Sequence, residues 1–281
     1  MELTAIKQLI AKYYKEECGI DIQGDKFTTD FSVIPLFSNG FQGLDKGSGH
    51  PDKKLEKINS SARLAVFYYK MLEQTGRISA LRFEWNESTP LVIPERNIPP
   101  ANLDVRYETA NEIHFVESKY LEPYYSGNEK IICSYLNDEY YSNIPNSALW
   151  IKKFRQVNSD FIFLNVTQLY RHLLAIYRHY LENPQVYVGK QIVFESVSWK
   201  PTNRFIDLVE KQSKRSKSYL EKRIECIIEK EAKDAITDIN DFIKSLNWPT
   251  CHFEMKYYND MLGDIKAAPQ YNAFRKQYFF D

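Results

Sequence analysis

No stretch of this sequence approaches the ~18 consecutive apolar residues that a membrane span needs, so no association with a membrane is expected. Charge bias is missing as well: 37 Lys and Arg balance 37 Asp and Glu. A protein that coats nucleic acid without selectivity is usually strongly basic. That class is excluded, and any nucleic-acid contact must come from a local patch. The four cysteines, Cys18, Cys133, Cys226 and Cys251, are widely scattered, with no CxxC pair and no Cys/His cluster. This spacing argues against a zinc site, and the thiols read as reduced and the protein as cytoplasmic. Met1-Glu2-Leu3-Thr4 opens without a basic segment leading into an apolar run, so a secretory signal is not expected. Internal repeats and low-complexity tracts are absent too.

What is present is a folded chain's composition. Hydrophobic residues make up 43% and aromatics 15% of 281 residues, enough for one large domain or two small ones with a sizeable core. Twenty tyrosines read first as core and rim residues rather than as platforms for stacked bases.

Apolar spacing predicts a first helix from Leu3 to about Cys18. A polar connection containing Gly40, Gly43, Gly47 and Gly49 reads as an ordered loop or flap. A second helix is predicted from Leu55 to about Gln74, stopped near Gly76. Residues 78–85 alternate like a strand, whereas Pro94, Pro99 and Pro100 break the stretch after it. Two short β-like runs then follow, Asn102–Glu108 and Ile113–Lys119, joined by four residues suited to a hairpin. A helix within 138–155 would be interrupted by Pro145. Asn165 is a natural N-cap for a helix over Val166–Leu181, followed by a strand over Gln191–Val197. Residues 202–246 combine charge with an apolar stripe, as in one or two surface helices, and 251–258 suit a last strand. This divides the chain into an N-terminal helix and loop (1–50), a core (51–200) and a helical extension packed on it (201–281).

The chemistry-bearing pattern lies in the predicted hairpin. Residues two apart on a strand share a face, so Glu117 and Lys119 project together and the partner strand can set Asp104 beside them. Converging carboxylates suit a hard cation such as Mg²⁺ or Mn²⁺, with the Ser118 carbonyl as a further oxygen ligand. A neighbouring lysine would orient or deprotonate water and offset charge building on a phosphate. The bland alternative is a solvated cross-strand charge pair, because an ExK tripeptide alone is weak.

The segments Asn102-Leu103-Asp104-Val105 and Glu117-Ser118-Lys119-Tyr120-Leu121-Glu122-Pro123-Tyr124 resemble the PD-(D/E)xK nuclease superfamily, and more narrowly a bacterial restriction endonuclease family. A helix opening with paired serines, Ser60-Ser61, and a later helix bearing Gln168 fit that family, and the likeness runs over roughly residues 50–200. Leu103 replaces the proline of the superfamily's name without removing a metal ligand. The resemblance implies an α/β, restriction-endonuclease-like αβββαβ core whose mixed sheet is flanked by helices, with a helical C-terminal elaboration. It implies a Mg²⁺-dependent endodeoxyribonuclease in a restriction or phage-defence role. Asp104 and Glu117 would be metal ligands, Lys119 the catalytic lysine and Gln168 a contact to water or phosphate.

Glu56 and Glu84 are candidates for a further carboxylate, while Glu122 has an equally good local structural role. DNA is the expected partner, with RNA and a homodimer left open. The alternative is an inactive nuclease-fold module that binds nucleic acid or a protein. The basic residues Lys200, Arg204, Lys211, Lys214, Arg215, Lys217, Lys222 and Arg223 suit phosphates or an ordinary solvated face. His172 and His179, seven apart on one helix, are too far apart to share a metal comfortably and read as buried or phosphate-facing.

Overall fold

The computed structural model describes residues 3–28, 55–86, 92–93, 96–97, 101–127, 133–136, 141 and 144–280. The glycine-rich connection read as a flap, and Pro94, Pro99 and Pro100, lie outside them.

In chain order the elements are α1 (Leu3–Glu17), β1 (Ile22–Gln23), β2 (Lys26–Phe27), α2 (Ser61–Gln74), β3 (Ser79–Trp85), β4 (Val92–Ile93), β5 (Arg96–Asn97), β6 (Leu103–Glu108), β7 (Glu112–Lys119), α3 (Glu122–Tyr125), α4 (Ser147–Asp160), α5 (Val166–Glu182), β8 (Gln191–Ser198), α6 (Asn203–Gln212), α7 (Lys214–Glu225), α8 (Ala232–Ser245), β9 (Cys251–Tyr257) and α9 (Tyr271–Phe279). Short 3₁₀ turns fill some of the connections. A π-helical segment, Cys226–Glu231, joins α7 to α8 without a break.

Five strands form one mixed sheet in the order β3-β6-β7-β8-β9. β3, β6 and β7 run antiparallel, and β7, β8 and β9 run parallel. Parallel neighbours need long crossovers, which α3–α5 and α6–α8 provide. On one face, α2 packs through Tyr69 on Tyr107, with ring centroids 5.4 Å apart, and α9 backs it through Phe274 and Tyr278. On the other face α4, α5 and α8 meet around Phe242, which Trp150 and Tyr170 contact edge-on. The architecture is thus α/β, a mixed central sheet flanked by helices with a helical C-terminal region, as the sequence implied. The aromatic richness is spent in this core: among the described residues, all four tryptophans and ten tyrosines have 2% or less of their surface exposed.

Local rules explain most boundaries. Leu55 and Ile58 are buried, but α2 starts only at Ser61. The Ser60 hydroxyl accepts the Arg63 N–H and sets the start, so the apolar period over 55–60 belongs to a buried turn rather than to more helix. α4 begins after Pro145, with Asn146 in the left-handed region at φ 61°, because proline disfavours helical conformation in the residue before it. At α5, Asn165 caps the helix by accepting the Gln168 N–H at 3.2 Å. The charged stretch forms two continuous helical runs, α6 and then α7 through α8, parted at Ser213, whose backbone N–H closes α6 and whose side chain caps α7.

The β9 edge is covered from α8. The Asn240 amide accepts the Phe253 N–H and donates to the Phe253 carbonyl, both at 2.9 Å. An edge strand's free donors and acceptors otherwise need water or another chain. Asn240→Leu should therefore cost about 1–3 kcal/mol through loss of these bonds to a partly buried strand, read as a lower midpoint in urea unfolding. An unchanged midpoint would show that solvent satisfies this edge equally well.

Candidate active site

The β6–β7 register pairs Val105 with Val116, so one step further along Asp104 stands opposite Glu117 on the same face. Ladder pairing stops there, and Asp104 Oδ2 takes the Ser118 N–H at 2.7 Å. A residue's N–H and C=O leave a strand on the same side, so the Ser118 carbonyl also faces this parting of strands. On the opposite face of the sheet the Ser118 hydroxyl donates to the Ser61 carbonyl at 3.2 Å and meets the Tyr258 hydroxyl at 2.8 Å. The paired serines thus have separate tasks: Ser60 caps α2, and Ser61 ties its first turn to the motif strand.

Glu117 is only 2% exposed, with Lys119 Nζ 2.6 Å from its Oε1. His172, buried on α5, brings Nδ1 to 3.1 Å from Oε2. That approach lacks hydrogen-bond geometry, and both atoms are buried without a hydrogen-bond partner. Burial alone would raise the Glu117 carboxyl, but Lys119 and His172 outweigh it and hold it down at about 2. Asp104 goes the other way: burial, then the Glu117 charge, push its carboxyl well above the usual range, Lys119 only partly compensates, and Glu84 adds to the repulsion. Lys119 is itself raised, because Glu117, Glu122 and Asp104 overcome the burial that disfavours its charge.

Glu84 is buried and stands in β3 with φ 49°. A side-chain-bearing residue in that region costs roughly 1–3 kcal/mol and is often found at functional sites. Glu84 is among the strongest electrostatic neighbours of Asp104. Glu56 instead meets Lys26 Nζ at 3.2 Å on the exterior, so of the two further carboxylates only Glu84 joins the cluster. Gln168 does not touch the carboxylates but lines, with Lys119, Glu122, Ser196 and Ser198, a cavity of about 290 Å³ beside them. Glu122 also holds the chain turn locally, its Oε2 accepting the Tyr120 N–H at 2.8 Å.

Both histidines of α5 are buried, one of the two readings that the sequence offered. His172 is a part of the site that one-dimensional reasoning missed, since only its position seven residues before His179 was legible. His179 is occupied elsewhere, with Nδ1 2.5 Å from the Tyr187 hydroxyl. A second buried acid, Glu195, lies on the opposite sheet face. Its Oε1 meets His114 at 3.1 Å and Lys256 at 2.5 Å, and the Tyr107 hydroxyl reaches its other oxygen. Buried polar groups are normally satisfied in this way, whereas Glu117 Oε2 has only the His172 approach, outside hydrogen-bond geometry.

Among the described residues no group of three or more His, Cys, Asp or Glu has metal-holding geometry. The donors able to face a cation are Asp104, Glu117 and the Ser118 carbonyl. An all-oxygen set with few side chains suits an ion that keeps several waters. No described helix is long and apolar enough to cross a membrane.

Residues 55–279 match the family described as "Restriction Endonuclease associating with ARP", well over half of the chain. The chain belongs to that restriction endonuclease family. The match runs through α6–α8, beyond the residues 50–200 that carried the resemblance in sequence. No curated protein and no solved structure gives a significant match.

The Asp104 charge is expected to cost stability. An acid whose folded value lies above its unfolded one, 3.8 for Asp104, destabilises the fold as pH rises through that interval and beyond. Asp104→Asn keeps an oxygen for the Ser118 N–H and removes the charge. It should raise Tm at pH 7–8 by roughly 2–4 °C, the shift about 1 kcal/mol produces in a chain of this size, and leave Tm unchanged near pH 3.5. Thermal melts at the two pH values decide this, and a lower Tm at pH 8 would refute the repulsion.

Proposed function

We propose that the chain is a metal-dependent endonuclease of the PD-(D/E)xK type, hydrolysing phosphodiester bonds in DNA in a restriction or phage-defence role. The carrying observation is the gathering of Asp104, Glu117 and Lys119 where two strands part, beside a cavity lined by Lys119 and Gln168. Membership of a restriction endonuclease family supports the same reading.

Two repelling carboxylates are an arrangement that a Mg²⁺ or Mn²⁺ ion would relieve. Such an ion would polarise the phosphoryl oxygen and acidify a water. Asp104, Glu117 and the Ser118 carbonyl are the groups that would hold it. Lys119 keeps its proton, because its acidic neighbours raise it further. Its role in this reading is therefore to stabilise charge developing on the phosphate and to orient water, rather than to take a proton. His172 packs behind Glu117 and limits where that carboxylate can turn. Gln168 lines the cavity where a phosphate or water would lie. Cutting both strands of a duplex calls for two such sites, so a homodimer accompanies the reading.

Supercoiled plasmid with Mg²⁺ or Mn²⁺ is the direct assay. Nicking or linearisation should appear and vanish with EDTA. Lys119→Ala and Asp104→Ala should each lose at least about 10²-fold in rate, the usual loss when one stabilising group goes, with unchanged circular dichroism. Full activity in both folded variants, or no cleavage by the wild-type chain of duplex, single-stranded DNA or RNA, would sink the proposal.

A further inference from the structure

The wall of the cavity beside Lys119 is built by a device that the catalytic reading does not use. Glu231, the last residue of the π-helical segment, is buried. Its carboxylate accepts three successive backbone N–H groups: Ile162 at 3.1 Å, Phe163 at 3.0 Å and Leu164 at 2.8 Å. Phe163 and Leu164 line the cavity. A π-helical turn is rare and commonly marks a functional site. Across the cavity mouth Gly127 lies so close that a Cβ there would sit 2.8 Å from the Ile162 carbonyl. The loop is thus pinned from behind and closely approached from the side.

On this fixed loop Ile162 has 68% of its surface exposed. A core-type side chain held outward on a rigid support is poised to meet a partner. The neighbouring surface says which kind. Arg223 of α7 stacks its guanidinium 4.4 Å from the Phe163 ring centre, donates to the Ser126 carbonyl at the cavity edge, and donates to the Tyr219 hydroxyl at 3.0 Å. Tyr219 is 44% exposed. Arg215, Tyr219 and Lys222 are four and then three residues apart, so they share one helix face. Arg215 and Lys222 are exposed, and neither forms an ion pair among the described residues. A cationic face with an apolar projection is complementary to a polyanion carrying flat apolar bases.

We propose that the Ile162 loop and the Arg215–Tyr219–Lys222 face of α7 are the seat for duplex DNA whose phosphodiester reaches the cavity, with the cations on flanking phosphates and Ile162 against a base step or sugar edge. Glu231 is a positioning residue for that loop. The inference rests on the nuclease reading above and names how its substrate is held. Of the eight basic residues read in sequence, Arg204 lies near Glu17 and Lys217 pairs with Glu210, and the proposal draws on Arg215 and Lys222.

The test uses the full-length chain, a fluorescein-labelled 30-base-pair duplex, and anisotropy in Ca²⁺ over a salt series. Ile162→Ala should weaken binding about 10-fold with an unchanged salt slope, as expected for an apolar contact. Arg215→Ala with Lys222→Ala should lower the slope of log K against log salt by about 0.9 for each phosphate no longer neutralised. Lys244→Ala, an exposed cation in the last turn of α8, should change neither. If the wild-type chain binds or cuts DNA while the Ile162 and Arg215/Lys222 variants match it, the seat is overturned and the nuclease reading stands. A wild-type chain that neither binds nor cuts overturns both. Dissociation of a dimer by Ile162→Ala, with duplex binding intact, would assign the face to a second copy of the chain and overturn the seat.

Discussion

A carboxylate buried at the open end of a sheet must be neutralised or protonated, and Glu117 meets that demand with Lys119 at 2.6 Å and His172 at 3.1 Å. Much of the site follows from this one requirement. Lys119 must stand two residues on, on the same strand face, to reach Oε1. α5 must cross this face to bring up His172, which needs a parallel crossover between β7 and β8. With Glu117 kept ionised, Asp104 cannot ionise at ordinary cost, and its value is raised. The site therefore stores electrostatic tension between two acids of the same type, distinguished only by which one the lysine and histidine serve.

The opposite sheet face solves the same problem without leaving anything over. Glu195 is as deeply buried as Glu117, yet His114, Lys256 and Tyr107 use both its oxygens. Comparing the two acids separates structure from chemistry better than burial alone does, since both are buried and both are held as anions. Glu231 is a third case, a buried carboxylate spent on three backbone donors to shape a loop. The surroundings of Glu117, Glu195 and Glu231 set these three buried acids apart.

The hairpin carrying Asp104 and Glu117-Ser118-Lys119 was legible because strand alternation and a short linker are local signals. So were the Asn165 cap and the strand over 191–197. The start of α2 was misjudged by six residues, because buried turns and helices share apolar spacing and only the Ser60 cap separates them. The pairing of His172 with Glu117 was not legible, because the two lie 55 residues apart on different elements. Glu84 and Glu56 looked equivalent, and only the fold places one near Asp104 and the other against Lys26. Glu231 had no signal at all, one acid among many in a charged helix.

The sequence by itself determined the local pattern: two acids and a lysine spaced for a strand pair, on a chain too neutral to coat nucleic acid. Strand period and turn length are set by covalent geometry, so neighbours along a hairpin can be read in one dimension. Which acid is ionised and which histidine stands behind it were decided only by tertiary structure. Those outcomes depend on distances of 2.5–3.5 Å between residues dozens of positions apart, where burial multiplies each interaction.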